Sequence, residues 1–71
     1  MIQEIFAKNL RHFREATGMS QGQLGKKAGY SRKSINYYEN CRRVPDILFL
    51  EDIAAALGKT PVDMITERKE K

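Results

Sequence analysis

Apolar residues recur three and four apart at Ile2, Ile5, Phe6, Leu10 and Phe13, with Glu4, Lys8, Arg11 and Glu15 between them. That spacing draws one apolar stripe along a helix. Thr17 and Gly18 end it, glycine being the residue that most readily closes a helix in the left-handed conformation. Ser20 then stands three residues before Gln23, the capping-box arrangement in which each side chain accepts from the other residue's backbone N–H. Leu24 and Ala28 give a second helix a narrow apolar stripe, and Gly29 closes it after about two and a half turns. Ser31 is placed to cap a third helix over residues 32 to about 40, with Ile35 and Tyr38 facing inward.

Asp46 caps a fourth helix carrying Ile47, Leu50, Ile53, Ala54 and Leu57, and Gly58 ends it. Thr60 and Pro61 open a fifth that holds Val62, Met64 and Ile65, since proline at the first helical position gives up no hydrogen bond. No stretch alternates as a half-buried strand would. The pattern predicts an all-α, compact five-helix bundle around one core. It forms a single domain over residues 1–71, with the core at about 2–66 and a charged tail at 67–71.

Length and composition narrow the function classes. A chain of 71 residues is too short for a second hydrophobic core or a deep substrate cleft. Cys41 is the lone cysteine and His12 the lone histidine, so neither an internal disulfide nor a zinc-type cluster is expected. No paired base and nucleophile and no phosphate-binding glycine loop is present, which argues against an enzyme, a cofactor or a small-molecule ligand. No apolar run nears the roughly 18 residues that span a bilayer. The opening MIQEIFAKNLRHF is amphipathic and carries an acid, unlike a signal peptide. A soluble, cytoplasmic protein with no membrane partner is expected.

Charge adds a location. The formal net charge is +4, yet residues 18–43 hold Lys26, Lys27, Arg32, Lys33, Arg42 and Arg43 against Glu39 alone, while the part beyond Val44 is slightly acidic. A basic centre between near-neutral ends suits a polyanion. Its bland alternative is a solvated basic face.

The link between the second and third helices is the most specific signal. Gly29, Tyr30 and Ser31 make a three-residue turn that forces a steep crossing, and Gly25, Ala28 and Gly29 are small where the helices approach. With this turn the chain resembles the lambda-repressor and Cro-like helix-turn-helix family, also called XRE, over residues 5 to 65. Four blocks in order carry the resemblance: RxxxGMSQ from Arg14, LGKKAG from Leu24, SINYYEN from Ser34 and FLEDIAAALG from Phe49.

The resemblance implies that the third helix lies in the major groove of double-stranded DNA while the second crosses the backbone. The family's base-facing positions then fall on Ser31, Arg32, Lys33, Asn36 and Tyr37. Arginine or lysine donates to guanine O6 and N7, and asparagine pairs with adenine. Tyr37 offers a ring to a thymine methyl or a hydroxyl to a phosphate. Ser20 and Gln21, at the start of the second helix, and Asn40, Arg42 and Arg43, on the other side, are the expected phosphate contacts. Lys26 and Lys27 are read as a solvated face, and His12, Met19 and Met64 as surface or core filler.

In the family the residues matching Arg14 and Glu39 pair with each other, so these two are assigned a structural ion pair. Departures from the pattern are Cys41, where glycine is usual after E-N, and Lys59, where an apolar residue is common. A thiol beside Arg42 also invites a redox reading. Gly22 and Gly25 weaken the second helix by about 1 kcal/mol each against alanine.

The implied function is that of a sequence-specific transcriptional regulator, most simply a repressor. It would bind a pseudo-palindrome as a homodimer, with half-sites about 34 Å apart. Phe49, Val62, Met64 and Ile65 are the expected dimer surface, because this region is richer in apolar residues than one helix face requires. The family takes in phage repressors, restriction–modification controllers, antitoxins and mobile-element regulators, a prokaryotic or phage setting. A protein-interaction module, antitoxin-like or an adaptor, with DNA binding secondary, is the competing class.

Overall fold

A computed structural model of the chain describes residues 1–68 and contains five helices: α1 Ile2–Ala16, α2 Gln21–Ala28, α3 Arg32–Glu39, α4 Ile47–Leu57 and α5 Pro61–Ile65. No strand occurs among the described residues. The boundaries follow from local chemistry. Ser20, Ser31, Asp46 and Thr60 all sit in extended backbone, and each accepts a hydrogen bond from the N–H three residues on. The Ser20 and Thr60 caps are reciprocal, through Gln23 and Asp63. Gly18, Gly29 and Gly58 close α1, α2 and α4 with φ of 78°, 87° and 69°, values that cost a side-chain-bearing residue about 1–2 kcal/mol.

One core joins the helices. Phe6, Leu10, Leu24, Ile35, Tyr38, Phe49, Ile53, Ala54, Leu57 and Met64 form it. Phe49 lies at its centre, stacked on Tyr38 with ring centroids 3.8 Å apart and met edge-on by Phe6 and Tyr30. Such ring pairs add about 0.5–1.5 kcal/mol each beyond the area they bury. They hold α3 against α1 and α4 from below, which leaves the opposite side of α3 facing outward.

The apolar stripes differ from the sequence expectation at their ends. Ile2 and Ile47 are exposed: each lies in the first turn of its helix, outside the reach of the core, and in α4 the place is taken by Phe49. Lys59 needs no apolar replacement, since its ammonium lies 4.9 Å from the centre of the Phe13 ring and covers it. Arg68 donates from Nε to Asn9 Oδ1 at 3.0 Å, while residues 69–71 of the proposed tail lie outside the described residues.

Asn9 was not singled out by the sequence, and it is a buried polar residue on the core face of α1. Its Nδ2 donates to the carbonyls of Asp63, Met64 and Thr66 at 2.9–3.2 Å. These are acceptors that a five-residue helix leaves unpaired at its end. A polar residue standing between Ile5, Phe6 and Leu10 on an apolar stripe was the available signal.

Candidate nucleic-acid interface

Gly25 brings α2 and α3 together. A Cβ there would lie 2.5 Å from the Tyr30 carbonyl oxygen and 3.2 Å from the Ser31 carbonyl, both backbone. The Gly25 carbonyl in turn accepts the N–H groups of Gly29 and Tyr30 at 2.8 and 2.7 Å. Tyr30 fastens the turn to α4 by donating its hydroxyl to Asp52 Oδ2 at 2.6 Å. That hydrogen bond, with smaller contributions from burial and from the Asp52 charge, pushes the phenol up to about 12.

On the outward side of α3, Ser31, Arg32 and Lys33 are exposed, and Asn36 and Tyr37 are half-buried. Ser31 spends its hydroxyl oxygen on the cap, accepting from the Ser34 N–H at 3.1 Å, and donates to Ser34 Oγ. Arg32 runs past Gly22 in the first turn of α2. Tyr37 has two cations near its ring, the Arg43 guanidinium at 4.9 Å and the Lys33 ammonium at 5.8 Å from the centroid. The structure thus gathers Lys33, Tyr37 and Arg43 into one basic, aromatic group. Asn40 folds back on its own helix, donating to the Asn36 carbonyl at 2.8 Å. Arg42 is exposed beyond it.

Behind this face lies a polar hub. Glu39 has no exposed side-chain surface and receives Arg14 through two parallel bonds, Nε to Oε2 at 2.6 Å and Nη2 to Oε1 at 3.0 Å. Arg11 Nε and Gln21 Nε2 also donate to Oε1, at 3.3 and 3.1 Å. Arg14 uses Nη1 on the Met19 carbonyl at 2.9 Å. Burial alone would raise the Glu39 pKa, but the bonds from Arg14, Gln21 and Arg11 and the arginine charge outweigh it, and the carboxyl is held below its ordinary value. The Arg14 guanidinium is raised, chiefly by its bond to Glu39.

Arg11 and Gln21 were not foreseen as members of the hub. Arg11 stands three residues before Arg14, on the same face of α1, which was the legible sign. Gln21, expected on a phosphate, has its amide engaged inside the domain: Oε1 accepts from Asn36 Nδ2 at 3.4 Å.

Two of the four proposed dimer residues are misplaced. Phe49 and Met64 are buried in the core, Phe49 by stacking on Tyr38 and Met64 under α1, so neither reaches a partner. Val62 is 66% exposed and Ile65 half-buried, and Val44, Ile47 and Leu48 add exposed apolar surface that the sequence reading had not assigned to a partner. Cys41 is exposed, and its thiol faces the Gln3 carbonyl at 3.9 Å. No helix is long and apolar enough to cross a membrane, and no group of three or more potential metal ligands occurs, among the described residues.

Two eight-residue helices joined through Gly29, Tyr30 and Ser31, the second presenting a basic outward face, define a helix-turn-helix protein. The chain belongs to the helix-turn-helix domain family, whose model matches residues 5–64. It is similar to y4dJ, an uncharacterized HTH-type transcriptional regulator of Sinorhizobium fredii (strain NBRC 101917 / NGR234), at 26% identity over 69 residues, covering 97% of this chain and 90% of that protein. Its fold is similar to the crystal structure of a hypothetical transcription factor, NHTF, from Neisseria. The TM-score is 0.91 at 28% identity, with 94% of this chain and 77% of the other covered.

Proposed function

We propose that this protein is a sequence-specific double-stranded DNA-binding transcriptional regulator that acts as a repressor. The observation that carries the reading is the outward face of α3. Ser31, Arg32 and Lys33 stand exposed at its N-terminal end, with Asn36 and Tyr37 behind them and Arg42 and Arg43 beyond. Side chains at that end of a recognition helix reach base edges in the major groove. Both named relatives are described as transcription regulators, which agrees with it.

In this reading Ser31, Arg32, Lys33, Asn36 and Tyr37 read bases. Ser20, Asn40, Arg42 and Arg43 sit on the flanking phosphates, whereas the Gln21 amide is engaged by Glu39 and Asn36. Regulation needs no chemistry at the site, so no cofactor and no catalytic residue is invoked. The active species is a homodimer on a pseudo-palindrome, with half-sites about 34 Å apart. Val62 and Ile65 remain as its partner surface, since both keep accessible apolar area once Phe49 and Met64 are assigned to the core.

Selection of bound duplexes from a random library, repeated over a salt series, tests the reading. A defined site should emerge, and affinity should fall steeply with salt as phosphate contacts release counterions. Arg32→Ala and Lys33→Ala should each relax base preference while leaving the helical spectrum intact. Binding that selects no sequence and ignores salt would instead favour a protein-interaction module.

A further inference from the structure

Gln21 bridges two groups of unequal hydrogen-bonding character. On one side is Glu39, a buried carboxylate that can only accept; on the other is Asn36, whose amide can be turned either way. Because Glu39 Oε1 takes the Gln21 Nε2 donor at 3.1 Å, Gln21 must direct its own oxygen towards Asn36. That oxygen accepts from Asn36 Nδ2 at 3.4 Å, so Asn36 is obliged to turn its nitrogen inward. Turning either amide over would set oxygen against oxygen. Arg14 and Arg11, bonded to the same carboxylate, keep it ionised and in place.

We infer that Gln21 is a specificity-determining positioning residue, which sets the orientation of the Asn36 amide through the Glu39–Gln21–Asn36 chain and so fixes the base that Asn36 reads. The inference rests on the proposed DNA-binding function and deepens it. With one Nδ2 hydrogen committed to Gln21, Asn36 keeps its Oδ1 and its second Nδ2 hydrogen in a fixed order for the groove. An acceptor beside a donor in that order matches the N6 amino group and N7 of adenine. The reversed order would set donor against donor. The role differs from a phosphate grip: it acts on one base pair, through another side chain, and it uses the oxygen of Gln21 as well as its nitrogen.

Lysine and leucine at position 21 separate the two roles. Gln21→Lys keeps a donor for Glu39 and adds charge towards a phosphate, but it has no acceptor for Asn36. Gln21→Leu removes both functions. Affinities are measured for the selected duplex and for its single-base-pair variants, with each protein checked for its helical spectrum and thermal transition. Asn36→Ala identifies the base pair that Asn36 reads.

The expected result is that Gln21→Lys and Gln21→Leu both lose about tenfold or more discrimination at that same base pair while retaining it elsewhere. Combining either with Asn36→Ala should add nothing further there. The inference is overturned if Gln21→Lys keeps wild-type discrimination at that position, if both variants weaken all duplexes by one common factor, or if Asn36→Ala alters discrimination nowhere. A wild-type chain that selects no duplex at all would instead remove the DNA-binding reading on which the inference stands.

Discussion

Arg14 and Glu39 meet through two parallel hydrogen bonds of 2.6 and 3.0 Å, with the arginine side chain 12% exposed and the glutamate wholly covered. The pair ties α1 to the end of α3. In so enclosed a place each charge depends on the other, because breaking a buried pair strands an ion that water no longer reaches. Glu39→Leu or Arg14→Leu alone should therefore destabilise the domain by about 3 kcal/mol, a fall in midpoint of more than roughly 10 °C for a chain of this size. The double variant should recover part of that loss. A double-mutant cycle by urea unfolding checks it, and strictly additive losses would show that the pair is not the unit.

Acid titration reads the same hub with a definite sign. The Glu39 pKa is lowered on folding, so its contribution to stability is fully present above the unfolded value of about 4.3 and is lost as pH falls through the lower folded value. Asp63, lowered chiefly by the Thr60 backbone N–H, acts in the same direction. Without Arg14, burial becomes the governing influence on Glu39, and its pKa should rise above the unfolded value. In Arg14→Leu the Glu39 contribution then reverses, being present below about pH 4.3 and lost as pH rises through the folded value. Stability measured between pH 4 and 7 should accordingly fall with rising pH in the variant, relative to the parent. Parallel curves would rule this account out.

The helix ends were legible in the sequence because their causes are local. Ser20 with Gln23, Ser31, Asp46, and Thr60 before Pro61 each satisfy a backbone group within three residues, and Gly18, Gly29 and Gly58 stop the helices where a left-handed residue is needed. What could not be read was which apolar residue wins a place in the core. Phe49 and Ile47 lie in the same first turn of α4, and the rings of Phe6, Tyr30 and Tyr38, all from outside that helix, select Phe49. The same limit applies to the site. The cations of α3 were visible by charge and position, but the connection of Asn36 to Gln21 and Glu39 joins side chains on two helices, and no spacing rule within one helix points to it.

Two glycines of α2 that look alike in sequence should respond oppositely to alanine. At Gly22 a Cβ would meet only side-chain atoms, of Arg32 at 3.8 Å and of Ser20 at 3.9 Å, both ordinary contacts, so Gly22→Ala should stabilise by about 0.5–1 kcal/mol through helix propensity. At Gly25 the added carbon would lie 2.5 Å from the Tyr30 carbonyl oxygen, and backbone cannot swing aside as a side chain can. Gly25→Ala should cost about 2–3 kcal/mol by forcing α2 away from the turn. Thermal midpoints of the two variants, which should move in opposite directions, decide the matter.

Cys41 holds φ at +59°, the single non-glycine residue with positive φ among those described. Two hydrogen bonds require that conformation: the Arg42 N–H donates to the Tyr37 carbonyl at 2.8 Å and the Cys41 N–H to the Tyr38 carbonyl at 3.3 Å. Together they complete the motif that usually closes a helix on glycine. A β-carbon in this region costs about 1–2 kcal/mol, whereas glycine gives back up to about 1 kcal/mol through its freer unfolded chain. Cys41→Gly should therefore stabilise the domain by about 0.5–1 kcal/mol, raising the midpoint by roughly 3–6 °C, and Cys41→Ala should not. The exposed thiol's contact with Gln3 is too long and too wet to reverse that balance. Equal midpoints for the glycine and alanine variants would mean that backbone strain at position 41 is not what limits the end of α3.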